Sequence, residues 1–236
     1  MRQTAQTLQA FYQTRLGRLA AQAAQARLRA AWDGFGGLDV LGIGYPQPYL
    51  EPFAKAARRC VLAMPQEQGA LSWDLGQGNV VLLSERARLP LMDNVFDRVL
   101  IAHGLEESDC PQRLLREVWR VMAPEGRLIV LVANRAGLWA RSEAQPFGHG
   151  RPYSRGQLAE LLRGAALEPL ASARVLFAPP WDFPLMLALA PRLEELGAAL
   201  ALPLGGVLLM EAIKRQHISP DPGLRRPARE RGLKPA

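Results

Sequence analysis

The sequence predicts an α/β fold built on a mostly parallel sheet, and two observations carry that prediction. Residues 80–83, 98–102 and 127–132 form three short apolar runs, rich in leucine and β-branched residues and almost free of polar alternation. Strands covered on both faces read this way, and parallel sheets are covered on both faces by their crossover helices. A helical pattern lies between the second and third runs, so strand and helix alternate as right-handed βαβ connections require.

The other elements follow in chain order. Residues 4–32 carry Leu8, Phe11, Tyr12, Leu16, Leu19 and Ala23 at helical spacing with no proline between them, which predicts one long helix closed by the glycines at 34, 36 and 37. Residues 38–42 read as the first strand, 48–59 as its helix with Pro48 tolerated in the first turn, and 60–63 as the second strand. A polar and aromatic loop follows residue 132. Residues 154–167 read as a helix opened by a capping box, Ser154 with Gln157. Residues 175–178 read as a strand, 184–202 as a helical excursion and 207–213 as the last strand. The predicted organisation is an N-terminal helix over 1–33, one domain over 34–215, and a basic, disordered tail over 216–236 with four prolines and clustered charge.

Composition narrows the function classes. The chain has 236 residues, enough for one such domain, and 49% hydrophobic residues supply a core. Its formal net charge is +7, but only Lys55, Lys214 and Lys234 are lysines, and the tail contributes Arg225, Arg226, Arg229, Arg231 and Lys234 against Asp221 and Glu230. Charge of this kind does not identify a partner. Cys60 and Cys110 are far apart and offer neither a disulfide framework nor metal-ligand spacing, so no metal is expected. The first residues lack the apolar centre of a signal peptide. The greasiest stretch, 184–210, is interrupted by Arg192, Glu194, Glu195, prolines and glycines, so no transmembrane span is expected, although weak contact with a membrane surface is open. A cytoplasmic protein is expected.

The words between the strands carry a resemblance. Leu89-Pro90, Asp93-Asn94, Phe96-Asp97, Leu115-Arg116-Glu117, Trp119-Arg120-Val121 and Pro124-Glu125-Gly126-Arg127 follow one another in order. Over residues 35–135 the chain resembles the class I S-adenosylmethionine-dependent methyltransferases, of the small-molecule type 11 sort. Gly44-Tyr45, Pro48-Tyr49-Leu50 and the run from Pro146 to Tyr153 are similar to a bacterial subgroup with a degenerate glycine loop. The resemblance implies a Rossmann-like sheet of seven strands, mostly parallel, with helices on both faces and one antiparallel strand near the C-terminus. It also implies S-adenosylmethionine as cofactor.

Open α/β sheets bind ligands at the carboxyl ends of their strands, beside the point where strand order reverses. Gly42 and Gly44 match the first two glycines of the family's loop, where the backbone turns sharply and approaches the cofactor. Tyr45 follows them, and Pro46 replaces the third glycine. Val40 stands where an acid is usual, with Asp39 one place away. The second strand ends in Ala63-Met64-Pro65 without the family's ribose-binding carboxylate; either Glu67 reaches back or the adenosine packs on Met64. Glu85 matches the acid that recognises the adenine amine, with Arg86 supplying a backbone amide. His103 follows the fourth strand, where it either lines the cofactor, acts as a base toward substrate, or is a satisfied structural histidine. His149 is the second candidate base.

The loop after the fifth strand gathers Asn134, Arg135, Trp139, Arg141, Arg151 and Tyr153. Arginine grips carboxylate or phosphate and aromatic rings stack, so these residues suit a small anionic or aromatic acceptor; the bland alternative is a surface loop whose aromatics plug the core. Three readings stay open. The leading one is methyl transfer from S-adenosylmethionine to a small molecule. The second is a methyltransferase-like protein that binds a cofactor or partner without catalysis, favoured if Tyr45 or Met64 blocks the resting pocket. The third, RNA methylation, lacks a recognisable RNA-binding appendage, so nucleic acid is not expected as a partner. Asp93 and Asp97 are expected to be structural, and Arg116, Glu117 and Arg120 to form a solvated helix face.

Overall fold

A computed structural model describes residues 3–32, 34–76, 78–85 and 88–215. The predicted tail over 216–236 and Arg86 lie outside the described residues.

Seven strands form one sheet: β1 (Asp39–Gly44), β2 (Arg59–Pro65), β3 (Val81–Ser84), β4 (Phe96–Ala102), β5 (Met122–Ala133), β6 (Glu168–Val175) and β7 (Val207–Ile213). Their order is β3-β2-β1-β4-β5-β7-β6. β1 to β5 run parallel, and β7 is antiparallel to both β5 and β6. This is the Rossmann-like methyltransferase arrangement expected from the sequence. The order reverses at β1, which pairs with β2 on one side and β4 on the other.

Two apolar layers flank the sheet. On one face α4 (Pro111–Val121) and α5 (Arg155–Arg163) bury Leu114, Leu115, Val118, Leu158 and Leu162 against Leu41, Val99 and Val130. On the other, α1 (Ala5–Gln13) and α2 (Arg15–Ala31) bury Leu8, Tyr12, Leu16 and Leu28 with Leu62, Leu100 and Ile129. The capping box opens α5 as expected, with Ser154 and Gln157 exchanging bonds.

Three elements differ from expectation. The N-terminal helix is two helices, because Thr14 is extended and its hydroxyl caps α2 through the Gly17 amide. The helix after β1 is only α3 (Gln47–Leu50) followed by a single 3-10 turn, Ala54–Ala56. Pro52 has no amide hydrogen to donate, and its ring collides with the preceding turn. β6 covers Glu168–Val175 rather than 175–178. It is an edge strand with one fully buried residue, so it shows no continuous apolar run. The helical excursion forms as expected: α6 (Pro184–Ala199) buries Ala190 and Gly197 and exposes Leu185 and Leu196, with Leu200 exposed just past its end and the stacked Trp181 and Phe183 before it.

The helix face that includes Arg120 is a clamp rather than a solvated surface. The guanidinium donates to Glu117, to the Leu89 and Leu91 carbonyls and to Asp93. It thereby fixes the loop between β3 and β4 on α4. Asp97 is structural as expected, its carboxylate accepting the Asp39 amide at 2.9 Å.

Candidate functional site

The carboxyl ends of β1 and β4 meet closely. Gly44 has φ +84°, and a β-carbon there would overlap the Ala102 carbonyl oxygen, so only glycine suits the crossing. The Tyr45 amide donates to that same carbonyl at 2.7 Å. At Gly42 a β-carbon would overlap Pro46 and Leu62, so the proline at the third glycine position packs into the turn it helps to form. Gly42, Gly44, Tyr45 and His103 therefore converge at the point where strand order reverses.

The space above those strand ends is filled by the chain itself. Tyr12, from α1, stacks on Tyr45 with ring centroids 6.0 Å apart. Its hydroxyl shares short hydrogen bonds with the Tyr49 hydroxyl and with His103 Nε2, the latter at 2.6 Å. Phe147 closes on His103 from the other side, with centroids 4.9 Å apart. Gln68, in the turn after β2, donates from Nε2 to the His103 carbonyl, and its own carbonyl accepts the Ala5 amide of α1. Relative exposures are 8% for Tyr12, 4% for Tyr45, 2% for Gln68, 6% for His103 and 0% for Met64.

Burial sets the protonation of this cluster. His103 is pushed down to about 3 and stays neutral. Tyr45 is pushed up to about 12, and Tyr12 and Tyr49 are raised by burial as well. Glu106, three residues beyond His103, is 7% exposed and pushed up to about 7 by burial. Its Oε1 accepts the Ala133 amide, while Oε2 has no hydrogen-bond partner; Gln68 Oε1 is likewise buried and unpartnered. Sequence reasoning missed Tyr12, Tyr49, Gln68 and Glu106 as site residues. The pairing of His103 with a carboxylate three places on was the one local signal.

The other candidates lie apart. Met64 is a core side chain and offers no surface to adenosine. Glu85 is exposed beyond β3, on a separate cavity of about 660 Å³ with Gln66, Arg88 and Arg120. Asp39 cannot replace the missing acid of the glycine loop. It lies at the start of β1, away from the carboxyl ends, held by Arg58 and Arg59 at 2.7 and 2.8 Å. Those guanidiniums keep its carboxyl below the usual range.

In the loop after β5, Asn134 and Trp139 serve the fold rather than a ligand. Asn134 Nδ2 donates to the Pro203 and Gly205 carbonyls. Trp139 is 1% exposed, donates from Nε1 to the Ala178 carbonyl, and packs where Gly206 leaves room for its ring. Arg135, Arg141 and Arg151 are exposed. Arg151 lies over the buried Tyr153 ring at 5.9 Å, beside a cavity of about 350 Å³. His149 is bonded through Nε2 to the Glu143 carbonyl. Among the described residues no group of histidines, cysteines and carboxylates could hold a metal ion.

The residues above the strand ends do not fit S-adenosylmethionine in this arrangement. Tyr12 and Gln68 pack on Tyr45 and His103 at the glycine turn, and the end of β2, Ala63-Met64-Pro65, offers no ribose-binding carboxylate.

Comparison with known proteins points to similarity with methyltransferases. Residues 38–130 match the family model described as a methyltransferase domain. The ubiquinone/menaquinone biosynthesis C-methyltransferase of Klebsiella pneumoniae is 42% identical over 55 residues, 23% of this chain and 22% of that protein. The chain thus spans about a fifth of the length of the curated relatives it matches. Among solved structures, a S-adenosylmethionine-dependent methyltransferase from Thermotoga maritima superposes with TM-score 0.61 at 19% identity, covering 85% of this chain and 92% of that one. The [4+2]-cyclase SpnF superposes with TM-score 0.56 at 21% identity, covering 91% and 97%. At these identities the structural likeness speaks for the fold.

Proposed function

We propose that this chain, whose residues 38–130 match a methyltransferase domain, is a class I S-adenosylmethionine-dependent methyltransferase that transfers a methyl group from that cofactor to a small acceptor. One observation carries the reading. A glycine turn with positive φ at Gly44 stands at the switch point of a seven-stranded sheet in the β3-β2-β1-β4-β5-β7-β6 order. The catalytic unit spans residues 34–215, with the N-terminal helices as an added cover. The acceptor side is the end of β4 and β5, with His103 and Glu106 after β4 and the Arg151–Tyr153 pair in the loop after β5. Arg135, Arg141 and Arg151 suit an acceptor with a carboxylate or an aromatic ring. No described helix is long and apolar enough to cross a membrane.

Nucleic acid has no place in the proposal. Arg58, Arg59, Arg120, Arg127 and Arg215 are each engaged by a carboxylate. The test is calorimetric titration with S-adenosylmethionine and S-adenosylhomocysteine, followed by transfer of labelled methyl to a panel of small acids, phenols and quinols. Saturable micromolar binding with label transfer supports the reading; a folded chain that binds neither compound contradicts it.

A second reading, binding without methyl transfer, is favoured by the closed strand ends and the missing carboxylate after β2. The likeness to a cyclase is in keeping with it, since fold does not fix chemistry. Saturable cofactor binding with no transfer to any acceptor is its signature.

A further inference from the structure

We propose that α1 is a displaceable plug over a concealed ligand site, and that the incoming ligand takes the place of Tyr12 and donates hydrogen bonds to Glu106 Oε2 and Gln68 Oε1. The inference rests on the methyltransferase reading only for the identity of the probe.

Three observations converge. The first is the pair of buried acceptors. Glu106 Oε2 belongs to the residue 103–106 segment and Gln68 is bonded to that segment through the His103 carbonyl; Glu106 Oε2 and Gln68 Oε1 are both buried and without a donor. Leaving a buried polar atom unsatisfied is costly, so groups of this kind mark a place where a partner belongs. Acceptors without donors select a ligand rich in N–H or O–H groups, and a carboxylate favours one with positive charge. Tyr12, Tyr49, Tyr153 and Glu107 face Glu106 from α1, α3, the segment before α5 and its own loop; none of them supplies a cation.

The second is how α1 is attached. It has nine residues, too few to hold a helix alone, and one extended residue, Thr14, separates it from α2. Among the described residues its polar ties to the body are the Gln3 amide, just before the helix, to Glu107, the Ala5 amide to the Gln68 carbonyl, and the Tyr12 hydroxyl to Tyr49 and His103. At the elbow, a β-carbon on Gly17 would overlap the Phe11 carbonyl and crowd Tyr12 Cα, so the closed angle depends on glycine. Loss of α1 from the body is a hinge motion at Thr14 that leaves α2 seated.

The third is access. A cavity of about 460 Å³ is lined by Tyr12 and Tyr45 together with Gln9, Gln13, Gln47 and Trp73. It borders the plug directly. A ligand that stacks there on Trp73 or Tyr45 reaches the buried acceptors once Tyr12 swings away.

Hydrogen exchange of the full chain, followed over residues 3–13 with and without saturating S-adenosylhomocysteine, tests the proposal on wild type and Gly17→Ala. Binding should speed α1 exchange about tenfold. Gly17→Ala should bind about tenfold more tightly, because the closed state that excludes ligand is depopulated. Binding seen only in Gly17→Ala also supports the plug. Binding to wild type with α1 unchanged or slowed overturns it and leaves the methyltransferase reading standing. No binding by either protein, with α1 exchange already fast in Gly17→Ala, overturns both. Leu8→Ala, which loosens the buried seat of α1 away from the aromatic cluster, gives the same discrimination if Gly17→Ala folds poorly.

Discussion

The Tyr12 hydroxyl lies 2.6 Å from Nε2 of His103, joining a helix near the start of the chain to the turn after β4. His103 is itself in the left-handed region, with φ +51°, a conformation that a non-glycine residue holds only when its surroundings fix it. Tyr12, Phe147 and Gln68 are those surroundings. The ring that resembles a catalytic base is thus held neutral, with Nε2 engaged by the plug.

Tyr12→Phe keeps the ring and removes the bridge. His103 Nε2 and the Tyr49 hydroxyl then lose a buried partner, which should cost about 1–3 kcal/mol. Urea unfolding checks this. A stability equal to wild type means that the hydroxyl is not what holds α1 down.

The pH dependence of stability separates two buried groups. Glu106, raised from 4.5 to about 7, binds a proton in the folded state that the unfolded chain releases, so its contribution falls as pH rises from about 4.5 to about 7. His103, lowered from 6.5 to about 3, works the other way: its contribution is full above about 6.5 and falls as pH drops toward 3. The two oppose each other between about pH 4.5 and 6.5. Glu106→Gln removes the first alone, so its stability relative to wild type should grow by on the order of 1 kcal/mol per pH unit across that window. Urea midpoints at half-unit steps read the slope; a constant difference between the two proteins contradicts it.

Arg120 holds the β3–β4 loop through the Leu89 and Leu91 carbonyls and the Asp93 carboxylate, while Glu117, beside it on α4, orients the guanidinium. Arg120→Ala should destabilise by about 2–4 kcal/mol, and Arg120→Lys should recover little of it, because an ammonium cannot span the fork. Thermal unfolding of both variants checks the pair; full rescue by lysine counts against the clamp.

Trp139 and Arg151 should behave differently although they share a loop. Trp139→Phe loses the bond to the Ala178 carbonyl and should lower stability by about 1 kcal/mol without changing ligand affinity. Arg151→Ala should leave stability within about 0.5 kcal/mol and weaken acceptor binding. Parallel unfolding and binding assays distinguish them, and weaker acceptor binding in Trp139→Phe would return that ring to the site.

The inner strands were legible in the sequence because they are buried on both faces; β3 reads as one of them, but it is an edge strand with only Ser84 buried. β7 is buried at all seven positions and reads as an apolar run, as do the inner parts of β4 and β5. β6, an edge strand with mixed exposure, leaves no such trace. Gly42 and Gly44 were legible because backbone geometry demands them locally. The plug was not. Tyr12 keeps helical spacing with Leu8 and Leu16, and nothing in that spacing distinguishes packing on a sheet from sealing its active edge. Asn134 and Trp139 looked like ligand contacts because a loop of polar and aromatic residues has the same composition whether it meets a substrate or holds itself down. The break at Thr14 depends on one side-chain cap that competes with helix continuation, a balance that periodicity alone does not resolve.

The most direct test of the closed site is the rate at which wild-type protein binds S-adenosylmethionine and S-adenosylhomocysteine in stopped-flow fluorescence, at increasing concentrations of each. If α1 must leave first, the observed rate levels off at one plateau shared by both compounds, the opening rate of the plug, and Gly17→Ala raises that plateau. Rates that climb linearly with concentration, with the same slope in wild type and Gly17→Ala, would contradict the account.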